Sequence, residues 1–317
     1  MARLGAACDD CRPAARRCRF LSRFPVLLIL LAWGSPLLLP ALTHAVPPPD
    51  GRQTLARLDL NTALRVEAAL VRTQLPPTFT VRVSSPFVVA SDLPPAELDR
   101  VIAQTLQAAV KAMTGSLFRK PPPFPVHTYL FASRNSLAVV SRILWKDDTP
   151  PVYGYSRKDL RMMVMDITTG GGTLIHELTH VMLWTDFPTI PNWFNEGISS
   201  LHEAVRLHPD RLEGMPNWRG AILEAARRKQ RLRSLAELVS DPDFYGKDVE
   251  INYAHARYFC LFLQDRCDLV RFYERMKATP PKTAPAMALT HAAAACSLPE
   301  SRLEREFQGY LQKALAP

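Results

Sequence analysis

The sequence predicts an α+β protein: a first half that mixes strands and helices, followed by a mainly helical second half. Three observations carry this prediction. β-branched and apolar runs of strand length recur up to residue 167, and beyond Gly170-Gly171-Gly172 only helical periodicity remains. The 28 prolines, against 13 glycines, cluster between these segments and separate short elements. With 47% hydrophobic and 22% charged residues among 317, the chain has the balance of a folded globular protein and excludes a disordered or coiled-coil one.

Taken in order, residues 1–45 read as a targeting segment. Basic residues up to Arg23 precede an apolar stretch over 24–42, and Thr43-His44-Ala45 offers the small residues a signal peptidase recognises. A membrane anchor is the competing reading, because the apolar stretch is about long enough to span a bilayer. Pro25, Pro36 and Pro40 argue against it. The expectation is an extracytoplasmic protein without stable membrane insertion. Residues 46–77 form a Pro-flanked segment with a short helix near 56–73, and 78–317 read as a single domain divided at 170/171.

Within that domain, 78–83 and 86–90 read as a strand pair. A helix opens at Leu93-Pro94-Pro95-Ala96-Glu97, with Leu98, Val101, Ile102, Leu106, Val110 and Met113 at helical spacing. A strand at 126–131, a short helix at 136–145 and a strand at 162–167 complete the first half. The second half offers helices at 173–185, 193–206, 217–229, 251–265, 268–277, 283–294 and 299–314.

Discounting the six arginines and two aspartates of the first 45 residues brings the net charge from +9 to +5. No dense basic stripe interleaved with aromatics remains, so nucleic acid is not an expected partner. The run from Arg227 to Arg233 reads as a solvated helix face. Cysteine usage fits a compartment that permits disulfides: Cys267 with Cys296 is the preferred pair and Cys260, inside an apolar helix pattern, a buried thiol. Cys8, Cys11 and Cys18 lie in the leader, without the second pair that a metal site needs.

Residues 173–180 (TLIHELTH) contain the pattern H-E-x-x-H. On a helix, His176, His180 and Glu177 fall at about 0°, 40° and 100°, while Leu174, Ile175, Leu178, Val181 and Met182 fall on the opposite side. One face can hold a metal ion and the other is core. A catalytic zinc site wants three protein ligands and one open position, so a third ligand must follow. Glu196, on a second amphipathic helix, is the candidate; Asp186 is an alternative. Ser200, one turn after Glu196, could steady a ligand.

His176-Glu177-x-x-His180 followed by Trp193-x-Asn195-Glu196-Gly197 resembles the gluzincin metallopeptidases, in particular the peptidase MA-like domains of secreted proteins. The resemblance covers most of the chain after the leader. It implies a zincin-like fold, with an N-terminal mixed β-sheet subdomain packed on a mainly helical C-terminal one, and peptide or protein substrates. It implies one zinc ion on His176, His180 and Glu196, with Glu177 as catalytic base. It further implies that the strand at 162–167 binds an extended peptide by edge pairing. The spacing to Glu196 is shorter than in thermolysin-like relatives, and the Gly-x-Met-Glu-Asn stretch of the gluzincin aminopeptidases is missing. Leu183 and Asp186 stand where the metzincin pattern needs glycine and histidine.

Zinc lowers the pKa of a bound water and polarises a carbonyl, so a neighbouring carboxylate can serve as general base. Glu177 is that base. Tyr253, which opens a nearly wholly apolar helix, is the candidate donor to the oxyanion, with a tyrosine capping a core helix as the plain alternative. His255 is a weaker candidate. His202, Glu203 and His208 read as surface residues of an amphipathic helix, Trp193 and Phe194 as packing anchors, and Gly170 to Gly172 as either a mobile lip or a simple connection. The competing function is a non-catalytic extracytoplasmic domain with a structural zinc site and a partner-binding role.

Overall fold

In the computed structural model, residues 58–147 and 153–315 are described; the expected targeting segment and its three cysteines lie outside them. The first helix, α1 (Leu60–Gln74), is N-capped by Asp59, whose carboxylate accepts from the Thr62 amide at 3.1 Å. Its inward face, Leu64, Ala68 and Val71, packs on a sheet together with α4 (Arg134–Trp145), which contributes Leu137, Val140 and Leu144.

That sheet has five strands: β1 (Thr80–Ser84), β2 (Phe87–Ser91), β3 (Val126–Phe131), β4 (Gly154–Arg157) and β5 (Met162–Asp166), in the spatial order β1-β2-β3-β5-β4. β2, β3 and β5 run parallel, and β1 and β4 are antiparallel edges. The sequence FVVAS, VHTYLF and MMVMD of the three parallel strands is buried throughout, as expected for strands covered on both faces. Alternate residues separate two cores: Val88, Ala90, Tyr129 and Val164 face α1 and α4, whereas Val89, Leu130, Met163 and Met165 face the helical half.

On that second face lie α2 (Pro95–Val101), a π-helical stretch (Ile102–Gln107) and α3 (Ala108–Thr114), which together form the helix expected from residue 93 onward. Gln107 turns back to the β1–β2 connection, its Nε2 donating to Ser84 Oγ at 2.8 Å. After β5, Gly170 takes φ = 92°, a backbone conformation that glycine adopts without strain, and opens α5 (Gly171–Asp186).

The helical half continues with α6 (Asn192–Leu201), a hairpin of β6 (Val205–Leu207) and β7 (Leu212–Gly214), and then α7 (Arg219–Arg228), α8 (Leu235–Val239), α9 (Val249–Arg266), α10 (Leu269–Ala278), α11 (Ala284–Ala295) and α12 (Glu300–Ala314). The β6–β7 hairpin corrects the expectation of uninterrupted helix through residue 206. β4, four residues of Gly-Tyr-Ser-Arg, was not expected either, and it corrects a second point. The strand at 162–166 is hydrogen-bonded on both sides, so it has no free edge for a peptide; β4 holds that position.

α6 and α9 meet where Gly197 faces small partners: a Cβ there would lie 2.8 Å from Cys260 Sγ and 2.9 Å from Ala256 O. Arg257, fully buried on α9, donates from Nε to Ser200 O at 2.8 Å and from Nη2 to Met215 O, tying the end of α6 to the residue that follows β7. Trp193 and Phe194 are buried among Phe259, Phe272 and Tyr273, a packing role. The Cys267–Cys296 disulfide joins the ends of α9 and α11, and Cys260 is a buried free thiol, as the sequence suggested.

Candidate metal centre

The face of α5 that carries His176 and His180 looks toward α6, and the two helices bring His176, His180 and Glu196 together with ligand atoms all within 4.8 Å of one another. The Nε2 atoms of the two imidazoles are 3.1 Å apart, and Glu196 Oε2 lies 3.7 Å from His176 Nε2 and 3.5 Å from His180 Nε2. A tetrahedral ion with bonds of about 2.0–2.1 Å needs ligand atoms about 3.3 Å apart, so these three edges bracket that requirement. Glu196 Oε2 is buried and has no hydrogen-bond partner, although burial of an unpaired carboxylate oxygen is costly. Two nitrogens and one oxygen, converging and otherwise unsatisfied, fit a divalent cation of the zinc type.

Each ligand is held from behind. Nδ1 of His180 lies 3.1 Å from both Asn195 Oδ1 and Ser199 Oγ. As donor to either, Nδ1 keeps the ring proton and leaves the Nε2 lone pair free for a metal. Ser199 rather than Ser200 therefore steadies this ligand; the buried Ser200 Oγ has no partner. Behind His176, Glu203 Oε1 lies 3.3 Å from Nδ1, close enough for an ionic contact although not aligned as a hydrogen bond. Glu203 is itself gripped by Arg219, from Nε at 2.8 Å and Nη2 at 2.7 Å, and by Asn217 Nδ2 at 3.1 Å. Glycine at 172 permits this arrangement: a Cβ there would stand 2.2 Å from Glu203 O.

Glu203 and His202 thus correct the reading of a solvated helix surface. α6 ends at Leu201, the chain turns inward, and His202 Nδ1 meets Thr179 Oγ1 at 3.0 Å in a buried contact. A sequence signal for Glu203 did exist, since position i+7 shares the helical face of Glu196. Of that trio only His208 stays near the surface, paired with Glu213 across the hairpin at 2.7 Å. Gly171 and Gly172 pack closely against Thr105 and Glu203, whereas Gly170, with its positive φ, turns the chain into α5. Asp186 is not a third ligand: its Oδ2 accepts from Tyr273 at 2.7 Å and Lys277 at 2.6 Å at the far end of α5. His255 is also remote from the site, buried and stacked on Phe307.

Electrostatics follow from this burial. Burial alone lowers the His180 pKa, but the charge of Glu196 beside it, with Glu177 beyond, raises it to about 9. Burial alone raises Glu196, yet His180, His176 and the Tyr245 hydroxyl bring it down to about 2. Burial alone raises Glu203, but the hydrogen bonds from Arg219 and the imidazole of His176 beside it bring it down to about 2. Glu177 is buried on the same helix, and Tyr253 is half-buried beside Glu196, its pKa pushed up by burial and then by the Glu196 charge. Sequence reasoning missed Tyr245, whose hydroxyl donates to Glu196 Oε1 at 2.8 Å. It lies 49 positions beyond Glu196 in an irregular segment, where no periodicity marks it.

No protein-family model matches the chain, and a search of curated proteins finds no match.

Proposed function

We propose that this protein is a zinc-dependent metallopeptidase of the gluzincin type, with a zincin-like fold, acting outside the cytoplasm. The observation that carries this reading is the convergence of His176 Nε2, His180 Nε2 and Glu196 Oε2, with a second carboxylate, Glu177, buried on the same helix as the two histidines. A structural site needs ligands only; a carboxylate base beside them serves a reaction. The half-buried Cys267–Cys296 bridge is consistent with an oxidising compartment.

When bound, zinc would acidify a water and polarise the scissile carbonyl. Glu177 accepts the water's proton and returns it to the leaving amine. The Tyr253 hydroxyl, which stays protonated across the physiological range because its pKa is raised, donates to the developing oxyanion. Among the described residues β4 is an outer strand of the sheet, and its edge would receive an extended substrate. It lies above the first turn of α5, where a Cβ on Gly154 would stand 2.8 Å from Thr173 Cγ2.

Chelation tests the reading. Protein stripped of metal should not degrade casein, one equivalent of zinc should restore cleavage, and activity indifferent to chelator would contradict the proposal.

A further inference from the structure

Glu196 has two carboxylate oxygens with different surroundings. Oε2 has no hydrogen bond and faces the two Nε2 atoms; Oε1 accepts a 2.8 Å bond from Tyr245. Tyr245 is 49% exposed, so little apolar burial holds its ring in place. The segment around it supplies the constraint. Phe244 is buried in the core, its carbonyl accepts from Asn252 Nδ2 at 2.7 Å, and the Tyr245 ring meets Phe244 edge-on with centroids 5.4 Å apart. On its other side stands the Tyr253 ring at 6.4 Å. The phenol is thus aimed at one oxygen of a buried carboxylate by a neighbouring residue anchored on either side of the backbone.

We infer that Tyr245 is a positioning residue for the metal: its hydroxyl occupies Glu196 Oε1, which fixes the carboxylate plane and reserves Oε2 for the ion. The inference rests on the metal-centre reading and adds a division of labour between two adjacent tyrosines. Tyr245 orients the ligand, and Tyr253 is left to the substrate. Without the Tyr245 bond the carboxylate can rotate about its last torsion, a broad and weakly restricted one, and the site loses its preorganised third ligand.

Zinc affinity measured by competition with a chromophoric chelator tests this directly, on the wild-type chain and on Tyr245→Phe, Tyr253→Phe and His180→Ala. Tyr245→Phe should bind zinc about tenfold or more weakly, and its cobalt-substituted form should show shifted visible bands. Its metal-free melting temperature should be unchanged, because the side chain is half-exposed. Tyr253→Phe should keep wild-type affinity. Equal affinity and spectra for Tyr245→Phe and wild type, with His180→Ala clearly weakened, would overturn the inference while leaving the metal centre intact. Wild type binding no more tightly than His180→Ala would remove the metal centre, and the inference with it. A fall in the metal-free melting temperature of Tyr245→Phe that accounts for the weaker binding would assign the residue a purely structural role and overturn the inference as well.

Discussion

At the scale of single residues, the site is a set of charges kept buried by pairing. Glu203 touches His176 on one side and takes two hydrogen bonds from Arg219 on the other. Glu203→Gln keeps the shape but removes the charge that Arg219, 8% exposed, is matched to. Removing one partner of a buried pair costs about 3–5 kcal/mol when the other charge stays buried. Urea denaturation of this variant should show a loss near the lower end, because the amide still accepts one bond. Zinc binding should weaken with it. Tyr253 is the contrasting case. Tyr253→Phe should lower kcat by about 10²–10³ with little change in KM, the signature of a donor that acts in the transition state. Steady-state kinetics on one peptide checks this, and a loss confined to KM would move Tyr253 to ground-state binding.

At the scale of elements, legibility depended on length and regularity. The 16 residues of α5 could be read because apolar positions recur on one side and the two histidines stand four apart on the other. β2, β3 and β5 were visible as apolar runs for the same reason, being buried on both faces. β4 has only four residues, all half-buried, and Gly-Tyr-Ser-Arg has no alternation to detect; its pairing with β5 is a tertiary fact. β6 and β7, three residues each, escaped in the same way, and α6 was read too long because His202 and Glu203 continue a helical pattern after the backbone has left the helix. The contact between Tyr245 and Glu196 spans 49 positions and belongs to no element. The disulfide between the ends of α9 and α11 closes a loop of 29 residues, for which chain entropy predicts about 3–4 kcal/mol of stabilisation. Cys267→Ala with Cys296→Ala should lower stability by about that amount in urea denaturation, and an unchanged midpoint would mean that α9 and α11 hold together by packing alone.

Across the whole molecule, stability and pH are linked through histidines buried in neutral form. His255 lies against Phe307, and burial, with the Arg233 charge nearby, depresses its pKa to about 3. The unfolded chain binds that proton near pH 6.5, so its contribution is complete above that pH and is lost as pH falls toward 3. Between pH 6.5 and 5 the loss is about 2 kcal/mol from this residue. His202, at about 3 through burial and the charges of His176 and Arg257, acts in the same direction. His255→Phe, which preserves the stack on Phe307, should flatten the dependence of melting temperature on pH between 6.5 and 4.5. An undiminished slope would place the acid sensitivity elsewhere.

The two cores meet across one sheet, and the candidate metal centre lies on the helical side: α5 and α6 supply the ligand atoms, and the segment before α9 and the start of α9 supply the tyrosines. Hydrolysis of a peptide bond by this arrangement is most directly tested with the zinc-loaded protein and its Glu177→Gln variant, each incubated with a diverse peptide mixture and read by mass spectrometry. New termini are expected from the parent and none from the variant, with equal zinc content in both. Cleavage by Glu177→Gln at the parent's rate, or silence from a parent that holds one zinc, would contradict the proposed function.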